Sequence, residues 1–317
     1  MASPNTAFTD IVATSLQGYS GELSDNVTNS NALLMKIDAK GNKKAATGRT
    51  IVQELEYGEN ATVNWYSGAE PLDVSPSEVF TAAEFTYKQL SGSVTITGLE
   101  EIQNSGKEAV HNLVKSRIRN LEKSLMNTLA TALYADGTAA NGKELGGLKL
   151  LVADTGLGTI GGIPSSTYAW WQNQVFDFSA RSVTPSAATI QHAMNDVWIS
   201  CTRGTDKPDI IPADKTYYLL YLESLQASQR FTDDKTAQAG FMNVMYMNAP
   251  VVYDDQCPSN HMYFLNTDYL HLRPAKGREF VPLGEKSSVN QDALVMPVVW
   301  AGNMTVSNRA LQGVIVA

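Results

Sequence analysis

The feature that most restricts this chain is a long apolar stripe between residues 105 and 137. Val110, Val114, Ile118, Leu121, Leu125, Leu129 and Ala132 recur at intervals of three and four, which places them on one face of an α-helix. Ser105, with Glu108 three residues later, forms a capping box, and Gly137 supplies the left-handed residue that commonly ends a helix. The pattern predicts a helix over 106–136, roughly 45 Å long at about 1.5 Å per residue. Lys107, Lys115, Arg117, Arg119, Glu122 and Lys123 take the other faces, so one side packs while another meets solvent or a neighbour. In a chain otherwise written in short strands and loops, such a helix acts as a spine.

Ahead of it, residues 1–47 are rich in Asn, Ser, Thr, Ala and Gly, with brief apolar touches at Phe8, Ile11, Val12, Leu33, Leu34 and Ile37. That is too little apolar surface for an independent core, and an extended arm lying on other parts of the structure, or on other subunits, is expected. Two alternating stretches follow. Ile51, Leu55 and Tyr57 face one way, with Glu54 and Glu56 the other; Ala83, Phe85 and Tyr87 then oppose Glu84, Thr86 and Lys88. Between them lies an irregular span with Trp65, Tyr66, Gly68, Pro71 and Pro76. This reads as a long hairpin. A two-stranded hairpin is marginal on its own, so the aromatic tip is expected to dock on something, including another copy. Residues 93–97 form a further strand into the spine.

After the spine, residues 148–153 read as a buried strand or apolar connection. Thr184 and Pro185 open a helix whose apolar face is Ile190, Met194, Val197, Trp198 and Cys201, stopped by Gly204. Asp214 caps another, with Tyr218, Leu222 and Leu225 inward. Strands are expected near 209–211, 244–247, 251–253, 262–265, 269–272, 295–300 and 313–316. The class is α+β, without repeating βαβ units.

The 317 residues are 43% hydrophobic, enough for a large core and for two domains. The formal charge of -8 argues against a broad nucleic-acid surface, which needs Lys and Arg against phosphates. It suits a surface that lies near packed DNA without adhering to it. No run of 18 apolar residues is present to span a membrane.

Enzyme chemistry finds little support. Gly156-Leu-Gly158-Thr-Ile-Gly161 matches the dinucleotide fingerprint, and Asp177 falls near where a ribose-binding acid would stand. A nucleotide loop must open a helix onto the pyrophosphate, whereas Gly162-Ile-Pro164 follows here, so a glycine-rich connection is the plainer reading. His192 and Cys201 share a predicted helix nine residues apart, too far along its axis to touch. Both Cys201 and Cys257 lack a metal-spaced partner, as do His111, His261 and His271. The doublets at Asp233 and Asp234 and at Asp254 and Asp255 read as solvated turns, and Met242, Met245 and Met247 as adaptable packing. No catalytic residue, cofactor or metal is expected.

The order of arm, hairpin, spine, mixed region and strand-rich return resembles the tailed-bacteriophage major capsid proteins, the HK-ninety-seven-type or Johnson fold. Strings along the whole chain carry the likeness. They are Asp25-Asn-Val-Thr-Asn, Asn31-Ala-Leu-Leu34, Gly48-Arg-Thr-Ile-Val-Gln-Glu-Leu-Glu-Tyr57 and Thr97-Gly-Leu-Glu-Glu-Ile-Gln-Asn-Ser-Gly106 early on. Later come Arg203-Gly-Thr-Asp-Lys-Pro-Asp209, His261-Met-Tyr-Phe-Leu-Asn-Thr-Asp-Tyr-Leu270 and Trp300-Ala-Gly-Asn-Met-Thr-Val-Ser-Asn308.

The resemblance implies an N-terminal arm at 1–47 and an extended loop at 48–92 that overlaps a neighbour. A peripheral domain at 93–150 with 268–317, and an axial domain at 151–267, complete the division. The implied function is geometric: hexamers and pentamers tile an icosahedral shell around double-stranded DNA, in a virion assembled in the bacterial cytoplasm. Scaffolding as a separate protein, a portal and a cement or decoration protein are the implied partners. Trp65 and Tyr66 at the loop tip, and Arg49, Glu54 and Glu56 at its base, are the candidate inter-subunit contacts. Some members crosslink covalently through a Lys near the loop tip, an Asn on another subunit and a catalytic Glu. Here Lys88, at the loop base, is the only lysine between Arg49 and Gln89, so no such crosslink is expected. The alternatives are an encapsulin shell of related fold and, from another class, a nucleotide-binding enzyme using residues 156–161.

Overall fold

A computed structural model of the chain describes residues 31–99, 107–225, 243–284, 286–287 and 292–317. The spine is there as α2, Lys107–Leu133, after α1, Ala32–Ala39. Ile118, Leu125, Leu129 and Ala132 are buried, Leu121 packs against the same core, and Gly137 takes the left-handed conformation at φ 76°. The capping box at Ser105 and Glu108 lies outside the described residues and side chains, as do Val110, Val114, His111, Phe8, Ile11, Val12, the Asp233–Asp234 doublet and Met242.

Two sheets divide the molecule. The first is built on β14, Ala293–Val306, which pairs antiparallel with β3, Lys88–Thr97, along one edge. Its other edge takes β11, Leu270–Pro274, then β12, Val281–Pro282, and β13, Lys286–Ser287. Both β3 and β14 extend beyond the spans expected at 93–97 and 295–300, because each satisfies the other's backbone across ten paired positions. The spine lies close on β3. A methyl group at Gly92 would come within 2.4 Å of Leu121 Cδ1, and the Arg117 guanidinium donates to Thr95 O.

The second sheet has six strands. In spatial order they are β6, Gln174–Asp177; β15, Gly313–Val316; β10, His261–Phe264; β7, Ile211–Ala213; β9, Ala249–Tyr253; and β8, Asn243–Tyr246. Successive side chains point to opposite faces. Thus Tyr263, Val314 and Val316 enter the spine core, while Met262, Phe264 and Ile315 enter a second core under α4, Ile190–Ser200, and α5, Lys215–Ser224. A sheet covered on both faces explains why these strands are apolar without alternation. The strand β15 completes this sheet, so the C-terminus returns to the region that residues 151–267 otherwise build.

Several local expectations need correction. Residues 31–47 lie on the body as expected, with Leu33, Leu34 and Ile37 buried in the spine core, but residues 32–39 are not extended: Asn31 Oδ1 accepts from Leu33 N at 2.9 Å and caps α1. The stretch at 148–153 is a helical turn, α3 at Leu148–Leu151; with Leu151 N donating to Gly147 O at 3.0 Å it needs no strand partner. The helix expected from Pro185 starts at Ile190, because Thr189 N and Ile190 N both close a separate turn on Ser186 O. Asp214 caps α5 as expected, at 2.9 Å from Tyr217 N, but Tyr217 and Tyr221 are its buried residues. Tyr218, Leu222 and Leu225 only flank that core.

Candidate assembly surfaces

The hairpin forms from β1, Ile51–Glu56, and β2, Phe80–Phe85, antiparallel with Ile51 opposite Phe85 and Glu56 opposite Phe80. Ile51, Leu55, Ala83 and Phe85 face the core, and Glu54 and Glu56 face out, as the alternation predicts. The inward polar residue is Gln53. Its Oε1 accepts from Arg273 Nη2 at 3.1 Å and from Thr305 Oγ1 at 3.3 Å, tying the hairpin to β11 and β14.

The second anchor comes from the glycine run. Thr159–Ile160, β4, and Ile163–Pro164, β5, pair through a turn at Gly161 and Gly162, with φ 60° and 81°. Gly161 O accepts from Glu84 N at 3.0 Å. A Cβ at Gly161 would lie 2.5 Å from Ala83 Cβ, so only glycine lets the two backbones meet. The run opens no helix, and its work is to grip the hairpin. Asp177 likewise serves a turn, accepting from Ala180 N at 3.0 Å.

At the hairpin neck, Tyr57 stacks on Trp170 with ring centroids 5.6 Å apart, and its hydroxyl donates to Glu78 O at 2.9 Å. Glu54, Glu56, Tyr57, Trp170, Arg203 and Asp206 share the wall of one surface groove. Beyond the neck, side-chain turns rather than core shape the tip: Asn60 Oδ1 accepts from Thr62 N and Glu70 Oε2 from Ser67 N. Trp65 is fully exposed, and Tyr66, Val63 and Val74 are also exposed. The structure thus brings Trp65 and Tyr66 together at the tip, and Glu54 and Glu56 on one sheet face. Among the described residues no ion pair joins Arg49 to either carboxylate.

Burial raises both thiols, Cys201 and Cys257, which leaves them unreactive. No group of three metal-ligating side chains occurs among the described residues. Asp254 is more than a solvated turn, since its Oδ2 accepts from Tyr134 Oη at 2.7 Å and Asn31 Nδ2 at 3.1 Å.

A further polar set was not anticipated. The chain passes between the two sheets near 151–173, 265–270 and 306–313. Arg309, fully buried, donates there to Leu151 O at 2.8 Å, Trp171 O at 2.7 Å and Asn173 Oδ1 at 2.7 Å. Gln312 exchanges hydrogen bonds with the Asn266 backbone at 3.0 and 3.1 Å. The residues that fasten the hairpin and the crossings, Gln53, Arg273, Arg309 and Gln312, carry no local motif.

No protein-family model matches the chain, and no curated protein sequence does. Solved structures do. A cyanophage A-1(L) capsid asymmetric unit superposes with a TM-score of 0.63 at 19% identity, over 86% of this chain and 88% of that one. This is the phage capsid shell fold. The capsid of an empty GTA particle shares it at a TM-score of 0.57 and 10% identity, over 87% of this chain and 88% of the other. The satellite phage P4 procapsid, whose structure includes the size determination (Sid) protein, gives 0.53 at 11%, over 93% and 90%. In the capsid shell fold observed here, the hairpin with its exposed tip is the projecting element and the doubly covered six-stranded sheet is the body.

Proposed function

We propose that this chain is a major capsid protein, whose copies assemble as hexamers and pentamers into an icosahedral head around double-stranded DNA. The observation that carries the reading is the hairpin: a base pinned at Gln53 and Gly161, and a tip that ends in the exposed Trp65. A fully exposed tryptophan on a projecting tip is a binding anchor awaiting a partner. The proposed division keeps an arm at 1–47, an extended loop at 48–92, a peripheral domain at 93–150 with 268–317, and an axial domain at 151–267 into which the last strand is inserted.

Trp65 and Tyr66 contact a neighbouring copy, and Arg49, Glu54 and Glu56 contribute at the hairpin base. The protein works without catalysis or cofactor. A scaffolding protein, a portal and a cement protein are its proposed partners, and the virion its location. Negative-stain electron microscopy with size-exclusion chromatography tests the reading. Closed polyhedral shells, tubes, or rings of five or six support it; uniform small oligomers, even with a cognate scaffold supplied, overturn it.

A further inference from the structure

Residues 50–87 hold seven carboxylates and no lysine or arginine, in a chain whose formal charge is -8. Most of the net negative charge therefore rides on one projection. Glu54, Glu56 and Glu84 stand on its outward sheet face, with Val52 opposite Glu84 and the exposed Phe80 opposite Glu56. Apolar and anionic groups thus alternate on a face that this chain leaves exposed. Among the described residues, the ion pair made by these seven carboxylates is Glu59 with Arg203, at 3.9 Å between two largely exposed side chains.

A surface of opposite sign lies at another edge. Residues 43–46 run parallel to β11: Lys44 N donates to Leu272 O at 3.2 Å and Ala46 N to Pro274 O at 2.7 Å. Lys276 N then donates back to Ala46 O at 3.1 Å. This pairing brings Lys44 beside the turn that carries Lys276 and Arg278, all three exposed and none in an ion pair among the described residues. The neighbouring Lys43 is already paired with Glu279 at 2.6 Å.

We infer that the outward face of the hairpin docks on the edge formed by Lys44, Lys276 and Arg278 of a second copy of this chain. Within one chain the hairpin is pinned with its outward carboxylates unpaired, so their pairing falls to a neighbour. The inference rests on the shell reading and adds to it the receiving surface and the attraction that orients copies before the apolar contacts close.

Glu54→Lys with Glu56→Lys in one variant, and Lys276→Glu with Arg278→Glu in another, should each lower the yield of shells or rings by about tenfold or more, because like charges then face each other. All four changes in one chain should restore the yield, since the attraction is inverted on both sides. A combined variant no better than either pair, or pairs that assemble like wild type, would overturn the inference. Melting curves of the variants check that their fold is kept. Wild-type assembly followed against sodium chloride needs no variant. Its rate should fall several-fold between about 0.1 and 1 M, as the screening length shrinks from about 10 to about 3 Å; a rate indifferent to salt counts against docking by charge. Failure of the wild-type chain to form shells or rings is a separate outcome that removes the capsid reading and this inference with it.

Discussion

Arg273 and Gln53, 220 positions apart in the chain, meet at 3.1 Å, and Gln53 is the one polar side chain on the core-facing side of β1. The guanidinium reaches across from β11, so the hairpin is joined to the sheet that carries the spine. Its two-stranded base then moves with the body, and the tip can present a fixed surface.

Replacing Gln53 with Ala strands the donors of Arg273 and Thr305. Leaving buried polar groups unmade costs about 1–3 kcal/mol. The expected outcome is a lower melting temperature, together with faster amide exchange confined at first to residues 51–56 and 80–85. Unchanged exchange there would show that Gly161 alone holds the hairpin.

Trp65→Ala separates assembly from stability. The side chain touches no core, so unfolding free energy should stay within about 0.5 kcal/mol of wild type. Particle yield should drop sharply. Equal yields from the two chains would remove Trp65 from the interface.

Shells of this protein should come apart to single chains in boiling detergent. Lys88, the lysine at the hairpin base, has its ammonium on Gly142 O, away from the tip. A ladder of covalent multimers on a denaturing gel would contradict this.

Arg309→Met leaves two buried carbonyls, Leu151 O and Trp171 O, without their donor, while Asn173 Oδ1 loses one of two donors and keeps Ala153 N at 3.1 Å. At about 1 kcal/mol or more for each stranded carbonyl, a loss of about 2 kcal/mol or more is expected in the urea midpoint analysis. Arg309→Lys, a compact ammonium in place of a planar fork, should fall between the two. If the methionine variant matched wild type, the crossings would not depend on this cation.

Two histidines should shape the pH profile on opposite sides of the ordinary imidazole range. Burial, with help from the Arg273 and Lys44 charges, pushes His271 down to about 4, so the fold holds it neutral. Its contribution is present above the unfolded value of about 6.5 and is lost as pH falls from there toward 4. At His261 burial alone would lower the value. The bonds to Asp154, at 3.2 Å, and to Ser259 O, at 2.8 Å, outweigh it and raise the value. That contribution is full below about 6.5 and fades as pH rises through the folded value. His271→Gln should flatten the acid limb, and His261→Gln the limb above 6.5; melting temperatures between pH 4 and 8 measure both.

Much of this architecture was legible along the chain. The spine, the alternation of β1 and β2, the cap at Asp214 and the apolar face of α4 all depend on residues within a few positions of one another, whereas α4 ends at Ser200, short of the stop expected at Gly204, which lies in the turn between Arg203 and Asp206. Short apolar runs were less readable. Residues 148–153 read as a buried strand or apolar connection, and Leu148–Leu151 is instead a helical turn because it completes its own hydrogen bonds.

The sequence by itself determined the helix and strand faces, the absence of cations along the hairpin, and an order of elements that matches a shell fold. Only the tertiary structure decided that Gly161 grips the hairpin instead of cradling a phosphate. It also decided that Gln53 meets Arg273, that Arg309 closes the crossings, and that Lys44 shares an edge with Lys276 and Arg278. Periodicity records which face of an element is buried. A polar partner hundreds of residues away leaves no periodic trace, because its identity depends on which segments the cores bring together.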